Sequence, residues 1–209
     1  MPSKSRTERP STFKKTRHSG AAFFLYLFAK TTAMKKLLPI LLLSLPTFVS
    51  AQAITSDDIK QQFIKDWERS KAYTIDYLNT MPADKYSFKA VDSIRSFAQQ
   101  MLHLASANLG LVNQGTGAQP PFNGRGLEAR ATAQTKDSVM YYVTASYDYA
   151  IDAVKNLDVS KYGELVGGNN KVTRYAWILK GLEHQAHHRG QTTIYIRLLG
   201  IRPPNERLF

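Results

Sequence analysis

The sequence of 209 residues contains no cysteine. This absence excludes disulfide bonds, thiolate metal ligands, cysteine nucleophiles and a lipid-modified cysteine. Acidic residues are scarce, since 16 Asp and Glu stand against 28 Lys and Arg, and the net charge is +12. Long apolar runs are also missing, because the best one, Leu37 to Val49, is interrupted by Ser44 and two prolines. A transmembrane span is therefore disfavoured.

The short apolar run has the features of a secretory signal peptide instead. Residues 34–51 read MKKLLPILLLSLPTFVSA, with two lysines first and a small-residue cleavage site, Val49-Ser50-Ala51, at the end. We expect cleavage after Ala51, export to the periplasm or exterior, and no stable membrane insertion afterwards. Residues 1–33 are interpreted as a mis-assigned upstream start or an unusually long basic n-region.

Most of the excess positive charge lies in these first 51 residues. They hold nine of the 28 basic residues and one of the 16 acidic residues, which leaves 19 and 15, a net charge of +4, on residues 52–209. That remainder shows no basic run interleaved with aromatic residues, so nucleic acid is not expected as a partner. It is long enough for a single domain with a hydrophobic core, and a homodimer is left open as an alternative to a monomer.

Apolar residues recur at helical spacing in four segments after residue 51, and no strand-like alternation or internal repeat is found. The predicted helices run from a cap at Thr55 to about Thr80, from Asp92 or Ser93 to before Gln114, from Thr132 or Thr135 to Leu157, and from a cap at Thr173 to Leu199. The sequence therefore predicts an all-α fold, a four-helix bundle. The long second and third connections favour an arrangement other than the simplest up-down bundle.

Three of the five histidines lie between Gly181 and Gln191, inside the fourth predicted helix. At about 100° per residue, His184 and His188 are about 40° apart on one face. This face is predicted to point inwards, because it also carries Trp177, Gly181, Gln191, Tyr195 and Leu198. Two imidazoles one turn apart can bind one metal ion together. The alternative is a pair of hydrogen-bonded interior histidines.

Two stretches resemble a known family. The run His184-x-x-x-His188-Arg189-Gly190-Gln191, followed by Tyr195-x-Arg197-x-x-Gly200-x-x-Pro203-Pro204, resembles the C-terminal signature of the DinB/YfiT-like superfamily, and Ser96 to Leu104 resembles its second-helix signature. The resemblance implies a DinB/YfiT-like four-helix bundle that holds a divalent metal with one histidine of helix 2 and two of helix 4. Carried over, the ligands are His103, His184 and His188.

Helical periodicity alone does not support His103 as a ligand. It lies about 140° from the centre of the apolar stripe of helix 2, so periodicity predicts a solvent-exposed or helix-packing side chain. If all three histidines bind, the site keeps a position for a water-derived nucleophile or a substrate. Zinc and nickel both suit nitrogen ligands.

Four further residues near the histidines are candidates for contacts with ligands or substrate. Arg189 and Gln191 could orient a ligand or bound water, or they could tie helix 4 to its neighbours. His187 is expected beside the site or at the surface rather than as a ligand, and Tyr195 is most simply a core residue.

One position argues against a zinc peptidase. Peptidases with the His-Glu-x-x-His motif use the glutamate after the first histidine as general base, and here that position is Gln185. Glu183 precedes His184 and points about 100° away. No other carboxylate is identified as a base from the sequence.

Three functional classes remain. The first is a metal-dependent enzyme acting on a small-molecule substrate, either a hydrolase or a thiol (S-)transferase. The second is a non-catalytic periplasmic metal-binding protein, and the third is a bundle whose histidines only stabilise it. An exported protein meets little reduced thiol, so hydrolysis is ranked above thiol transfer. We expect the substrate pocket between helices 2 and 4 and the loops Gln114–Gly126 and Lys161–Lys171.

Overall fold

Four helices dominate residues 53–169 and 171–209, the part of the chain that this computed structural model describes. The helices are α1 (Ser56–Thr80), α2 (Phe97–Thr116), α3 (Lys136–Asn156) and α4 (Arg174–Leu198). Two-residue strands β1 (Leu165–Val166) and β2 (Val172–Thr173) form an antiparallel pair before α4, where the sequence predicts no strand. The prediction of an all-α four-helix fold is confirmed. The predicted signal peptide and the segment 1–33 lie outside the described residues.

A hydroxyl side chain caps the N-terminus of each of the four helices. The capping residues are Thr55, Ser96, Thr135 and Thr173. The predicted cap of α2 at Asp92 or Ser93 is wrong, because Ser96 and Gln99 form a reciprocal capping box. The next two backbone N–H groups donate to loop carbonyls, Phe97 to Phe88 and Ala98 to Tyr86. The polypeptide before Ser96 therefore packs alongside the helix instead of extending it.

Each helix makes its main contacts with two others, and these contacts do not follow chain order. Both α1 and α2 pack against α3 and α4. This pattern places α1 diagonally opposite α2, and α3 diagonally opposite α4. The arrangement differs from the simplest up-down bundle, as expected from the sequence. In the described ranges, no helix is long and apolar enough to cross a membrane.

The core between the helices is built from large side chains. Trp67 of α1 and Tyr147 of α3 are fully buried and pack edge to face, with ring centroids 5.8 Å apart. Gly181 of α4 faces the same tryptophan, and a Cβ atom there would lie 3.0 Å from Trp67 Cζ2. The glycine thus permits the close approach of α4 to α1. This approach sets the depth of the next two turns of α4, which carry His184 and His188.

Candidate metal centre

Helices α2 and α4 bring His103, His184 and His188 together. One nitrogen atom of each imidazole lies within 4.8 Å of the others. The ring centroids of His184 and His188 are 4.4 Å apart, and that of His103 is 4.6 Å from the His188 ring. Nitrogen ligands 2.0–2.1 Å from one tetrahedral zinc ion stand roughly 3.3 Å apart. The cluster is therefore close to the spacing that a single ion needs.

His103 is half-buried, although periodicity predicts that it is exposed or packs between helices. Its helix is covered on two sides by α3 and α4 and on a third by the loop around Leu127, which is fully buried. Side chains outside the apolar stripe, including Gln100, Leu102 and Leu109, are consequently buried as well. A stripe calculated from one helix cannot reveal a covering loop, so periodicity alone does not predict burial on this side of α2.

Two of the three imidazoles are held by hydrogen bonds on their Nδ1 side. His188 Nδ1 lies 2.9 Å from Gln100 Oε1, and His103 Nδ1 lies 3.0 Å from Glu128 Oε1. Since both partners are acceptor oxygens, each Nδ1 carries the proton and each Nε2 keeps its lone pair. Metal-binding histidines usually have this arrangement, in which the second nitrogen donates to a carboxylate or carbonyl oxygen.

The electrostatic environment keeps two of the imidazoles neutral. Burial, with the neighbouring His184 and His103 acting in the same direction, lowers the pKa of His188 to about 3. Burial, together with the nearby His103, also lowers the pKa of His184. Metal ions bind unprotonated imidazole, so both side chains are in the binding form at neutral pH.

Glu128 remains ionised beside this cluster. Burial pushes its pKa upwards, but a hydrogen bond from its own backbone, the bond to His103 and the charge of Arg95 outweigh burial and lower the pKa overall. The Arg95 guanidinium lies 3.6 Å from Glu128 Oε1. A carboxylate that accepts from His103 increases the basicity of that imidazole and fixes its ring.

The third imidazole, that of His184, has a buried nitrogen, Nδ1, without a hydrogen-bond partner among the described residues, and this bears on whether a metal ion fits the site. A buried nitrogen without a partner costs about 1–3 kcal/mol, and a bound cation would remove this cost if it were coordinated there. Three neutral imidazoles are also the donor set that zinc and nickel accept. The residues present therefore fit a divalent ion.

Sequence reasoning missed Glu128 and Gln100. Glu128 belongs to a short 3-10 turn, Leu127–Ala129, in a connection without periodicity, so no spacing rule relates it to His103. Gln100 did carry a signal, because it precedes His103 by three residues and shares its side of α2.

The other four candidates lie in three different places. Arg189 is buried against α1, where it donates to Thr74 and stacks 4.7 Å from the Tyr73 ring centroid. The Tyr195 hydroxyl is also buried and donates to the carbonyl of Arg95 at 2.7 Å. His187 and Gln191 are exposed and bonded to each other, although Gln191 was predicted to face inwards.

A cleft with a volume of about 700 Å³ opens beside His103 and Glu128. Its lining comes from α2 and from residues 120–128. The expectation of a pocket between helices 2 and 4 is wrong for this cleft, because no described residue of α4 or of the loop Lys161–Lys171 is among its lining residues. Of the three clustered histidines, His103 lines the cleft.

The sequence profile of the DinB superfamily matches residues 66–192, which include all three histidines. The chain belongs to the DinB superfamily. Among solved structures, a DinB-like protein from Bacillus cereus ATCC 10987 has a TM-score of 0.62 at 15% identity, covering 70% of this chain and 97% of that chain. A DinB-like protein from Bacillus subtilis has a TM-score of 0.50 at 17% identity, covering 71% and 96%. At these identities the structures establish the DinB-like fold alone. No curated protein matches this chain.

Proposed function

We propose that this DinB-superfamily protein is exported, binds one divalent metal ion through His103, His184 and His188, and hydrolyses a small substrate. The observation that carries the proposal is the convergence of three imidazole nitrogens from two helices. The hydrogen bonds of two Nδ1 atoms to acceptor oxygens support this proposal, because metal-binding histidines usually donate their second nitrogen in this way. We favour zinc or nickel as the ion.

In this chemistry the protein would position the metal-binding imidazoles and give the substrate access to them. When bound, a divalent ion would lower the pKa of water at the site towards about 7, which supplies a nucleophile near neutral pH. Glu128 and Gln100 hold two of the imidazoles in place, and the cleft beside His103 admits the substrate. Such a site needs no glutamate in the position of Gln185.

The environment of Gln185 also speaks against peptidase chemistry. Its amide oxygen accepts hydrogen bonds from Tyr147 and Arg189, and its amide nitrogen donates to Ser70 and to the carbonyl of Leu182. All of these groups lie in the interior between α1, α3 and α4. Gln185 therefore stabilises the bundle and takes no part in proton transfer.

Export is a separate part of the proposal and rests on the signal-peptide pattern of residues 34–51. N-terminal sequencing of protein recovered outside the cytoplasm should give a chain that begins at Gln52. Recovery of a full-length cytosolic chain that begins at residue 1 would contradict export.

The activity is tested on residues 52–209, purified without chelators. We expect one divalent ion per chain and metal-dependent turnover of at least one member of a panel of small esters and amides. His188→Ala should abolish both, whereas His187→Ala, on the exposed side of the same helix, should preserve both. Metal-dependent conjugation of a thiol without hydrolysis would instead indicate a thiol transferase. A metal-loaded protein inert in both assays would indicate a non-catalytic metal-binding protein.

A further inference from the structure

The floor of the cleft beside His103 is built from small residues. Ala107 and Gly110 follow His103 on the same side of α2 and line the cleft with it. A Cβ atom on Gly110 would meet no other atom within 4 Å. Glycine within a helix costs about 1 kcal/mol relative to alanine, and close packing does not explain it here as it does at Gly181. The absence of a side chain at Gly110 leaves more space above the floor of the cleft.

The wall of the cleft is apolar and fixed in position. It contains Leu109, Pro120 and Phe122, and the Phe122 ring packs edge to face on Tyr142 with centroids 5.0 Å apart. The Ser106 hydroxyl donates to the carbonyl of Gly124 at 2.8 Å, which holds the loop against α2. A preformed apolar wall of this kind suits an aromatic or aliphatic group.

The described lining of the cleft has one cationic and one anionic side chain, Arg125 and Glu128. Arg125 lines the cleft, and its guanidinium makes no hydrogen bond or ion pair with the described residues. Glu128 is the one carboxylate among the lining residues that the structure describes, and His103 and Arg95 already engage its Oε1 atom. An anionic group near Arg125 would therefore meet a cation without a partner among the described residues, while the carboxylate of Glu128 is already paired with Arg95 and His103.

We infer that the cleft binds a small amphipathic anion, whose apolar body contacts Leu109, Pro120 and Phe122 and whose anionic group pairs with Arg125. This inference rests on the proposed function insofar as the bound molecule is the substrate, and it adds the chemical class of that substrate. The reactive bond of such a molecule would face His103 and Glu128, which also line the cleft.

Two fluorescent probes with the same aromatic framework test this inference by binding alone. The anionic probe is 8-anilinonaphthalene-1-sulfonate, and the neutral one is N-phenyl-1-naphthylamine. Both are titrated into residues 52–209, with and without zinc. We expect saturable binding at one site, with the sulfonate bound more tightly than the neutral probe.

The variants separate the charge from the shape of the cleft. Arg125→Gln should weaken the sulfonate about tenfold and leave the neutral probe unchanged, because it removes one charge-assisted interaction. Gly110→Leu should weaken both probes, since the side chain would fill the floor. Ala107→Leu is a second block in case Gly110→Leu does not fold. Arg197→Gln, at an exposed position in the last turn of α4, is the matched control and should change neither affinity.

The inference is overturned if Arg125→Gln binds the sulfonate as tightly as the native chain, or if neither folded leucine variant weakens either probe. These outcomes are independent of the proposed function, because fluorescence reports binding without turnover. Loss of sulfonate binding in Arg125→Gln, in a chain that holds no metal, would support the cleft and reject the metal site. Metal-dependent hydrolysis together with unaltered probe binding in every variant would support the metal site and reject the proposed anion-binding cleft.

Discussion

Two polar clusters occupy neighbouring positions on α4, and they differ in how completely their atoms are paired. His184 and His188 are each followed directly by a member of the other cluster, Gln185 and Arg189. In the second cluster, both ends of the Gln185 amide are hydrogen-bonded within the chain, and Arg189 contacts Thr74, Gln185 and the ring of Tyr73. Such a satisfied network stabilises the fold that contains it.

The histidine cluster has the opposite character. The Nδ1 atoms of His103 and His188 are hydrogen-bonded, whereas His184 Nδ1 is buried and has no partner among the described residues. Groups arranged in this way add little to the stability of the chain alone and become favourable when they share a ligand. Completeness of pairing therefore separates the structural cluster from the proposed binding site.

The largest expected effect comes from leucine substitutions at two adjacent positions. Gln185→Leu should lower the free energy of unfolding by about 3 kcal/mol, because it removes the buried amide oxygen that accepts from both Arg189 and Tyr147 and leaves these two groups to share the Thr74 hydroxyl. In the metal-free protein, His184→Leu should cost less than about 1 kcal/mol, since it removes an imidazole with an unpaired buried nitrogen. Urea denaturation of the two metal-free variants measures both quantities.

The metal content of the same variants is the complementary control. Gln185→Leu should retain a full equivalent of metal if it folds, and His184→Leu should lose it. Equal destabilisation by the two substitutions would show that the histidine cluster is as structural as the glutamine network.

A smaller effect is expected from Glu128. Glu128→Gln removes the carboxylate that accepts from His103, so the metal affinity should fall about 10–100-fold, which corresponds to about 1.4–2.7 kcal/mol. Competition with a chromophoric chelator measures this change. Glu183→Gln, an exposed substitution next to His184 in the sequence, is the matched control and should leave the affinity unchanged. Identical metal affinities for the two variants would show that Glu128 does not contribute to metal binding.

The smallest effect concerns pH. The pKa of His188 is lowered from its usual 6.5 to about 3. Between these values the unfolded chain binds a proton that the folded chain excludes, so the free energy of unfolding should fall as the pH falls from about 6.5 towards about 3. With solvent screening, we expect this residue to account for about 1 kcal/mol between pH 6.5 and pH 5 in the metal-free protein.

Urea denaturation at several pH values tests this dependence in matched variants. His188→Leu should show a flatter pH profile than the native chain, and the exposed His187→Ala should not. A profile in His188→Leu that is as steep as the native one would assign the acid sensitivity to other groups.

The sequence predicted the helices well because their signals are local. Thr55, Thr135 and Thr173 cap helices as expected, since an N-cap hydrogen bond involves residues only three apart. The start of α2 was misplaced because Ser96 competes with Asp92 and Ser93 as a cap, and only the contacts of the preceding loop with Phe97 and Ala98 decide between them.

The candidate site was predictable in part. The shared face of His184 and His188 follows from the period of one helix, whereas His103 depended on a family resemblance because its own helix predicted an exposed or helix-packing residue. Glu128 could not be placed at all, since its approach to His103 is set by the path of a loop rather than by spacing. Long-range contacts of irregular segments are the information that a single sequence does not carry.

Metal stoichiometry across four histidine variants tests whether His103, His184 and His188 hold one divalent ion. Zinc bound to residues 52–209 is measured by elemental analysis after equilibrium dialysis, for alanine substitutions at His103, His184, His188 and His187. We expect one equivalent in the native chain and in His187→Ala, and loss of stoichiometric zinc in the other three variants. Full retention of zinc in any of those three folded variants, or its loss in His187→Ala, would show that these three histidines are not the ligand set.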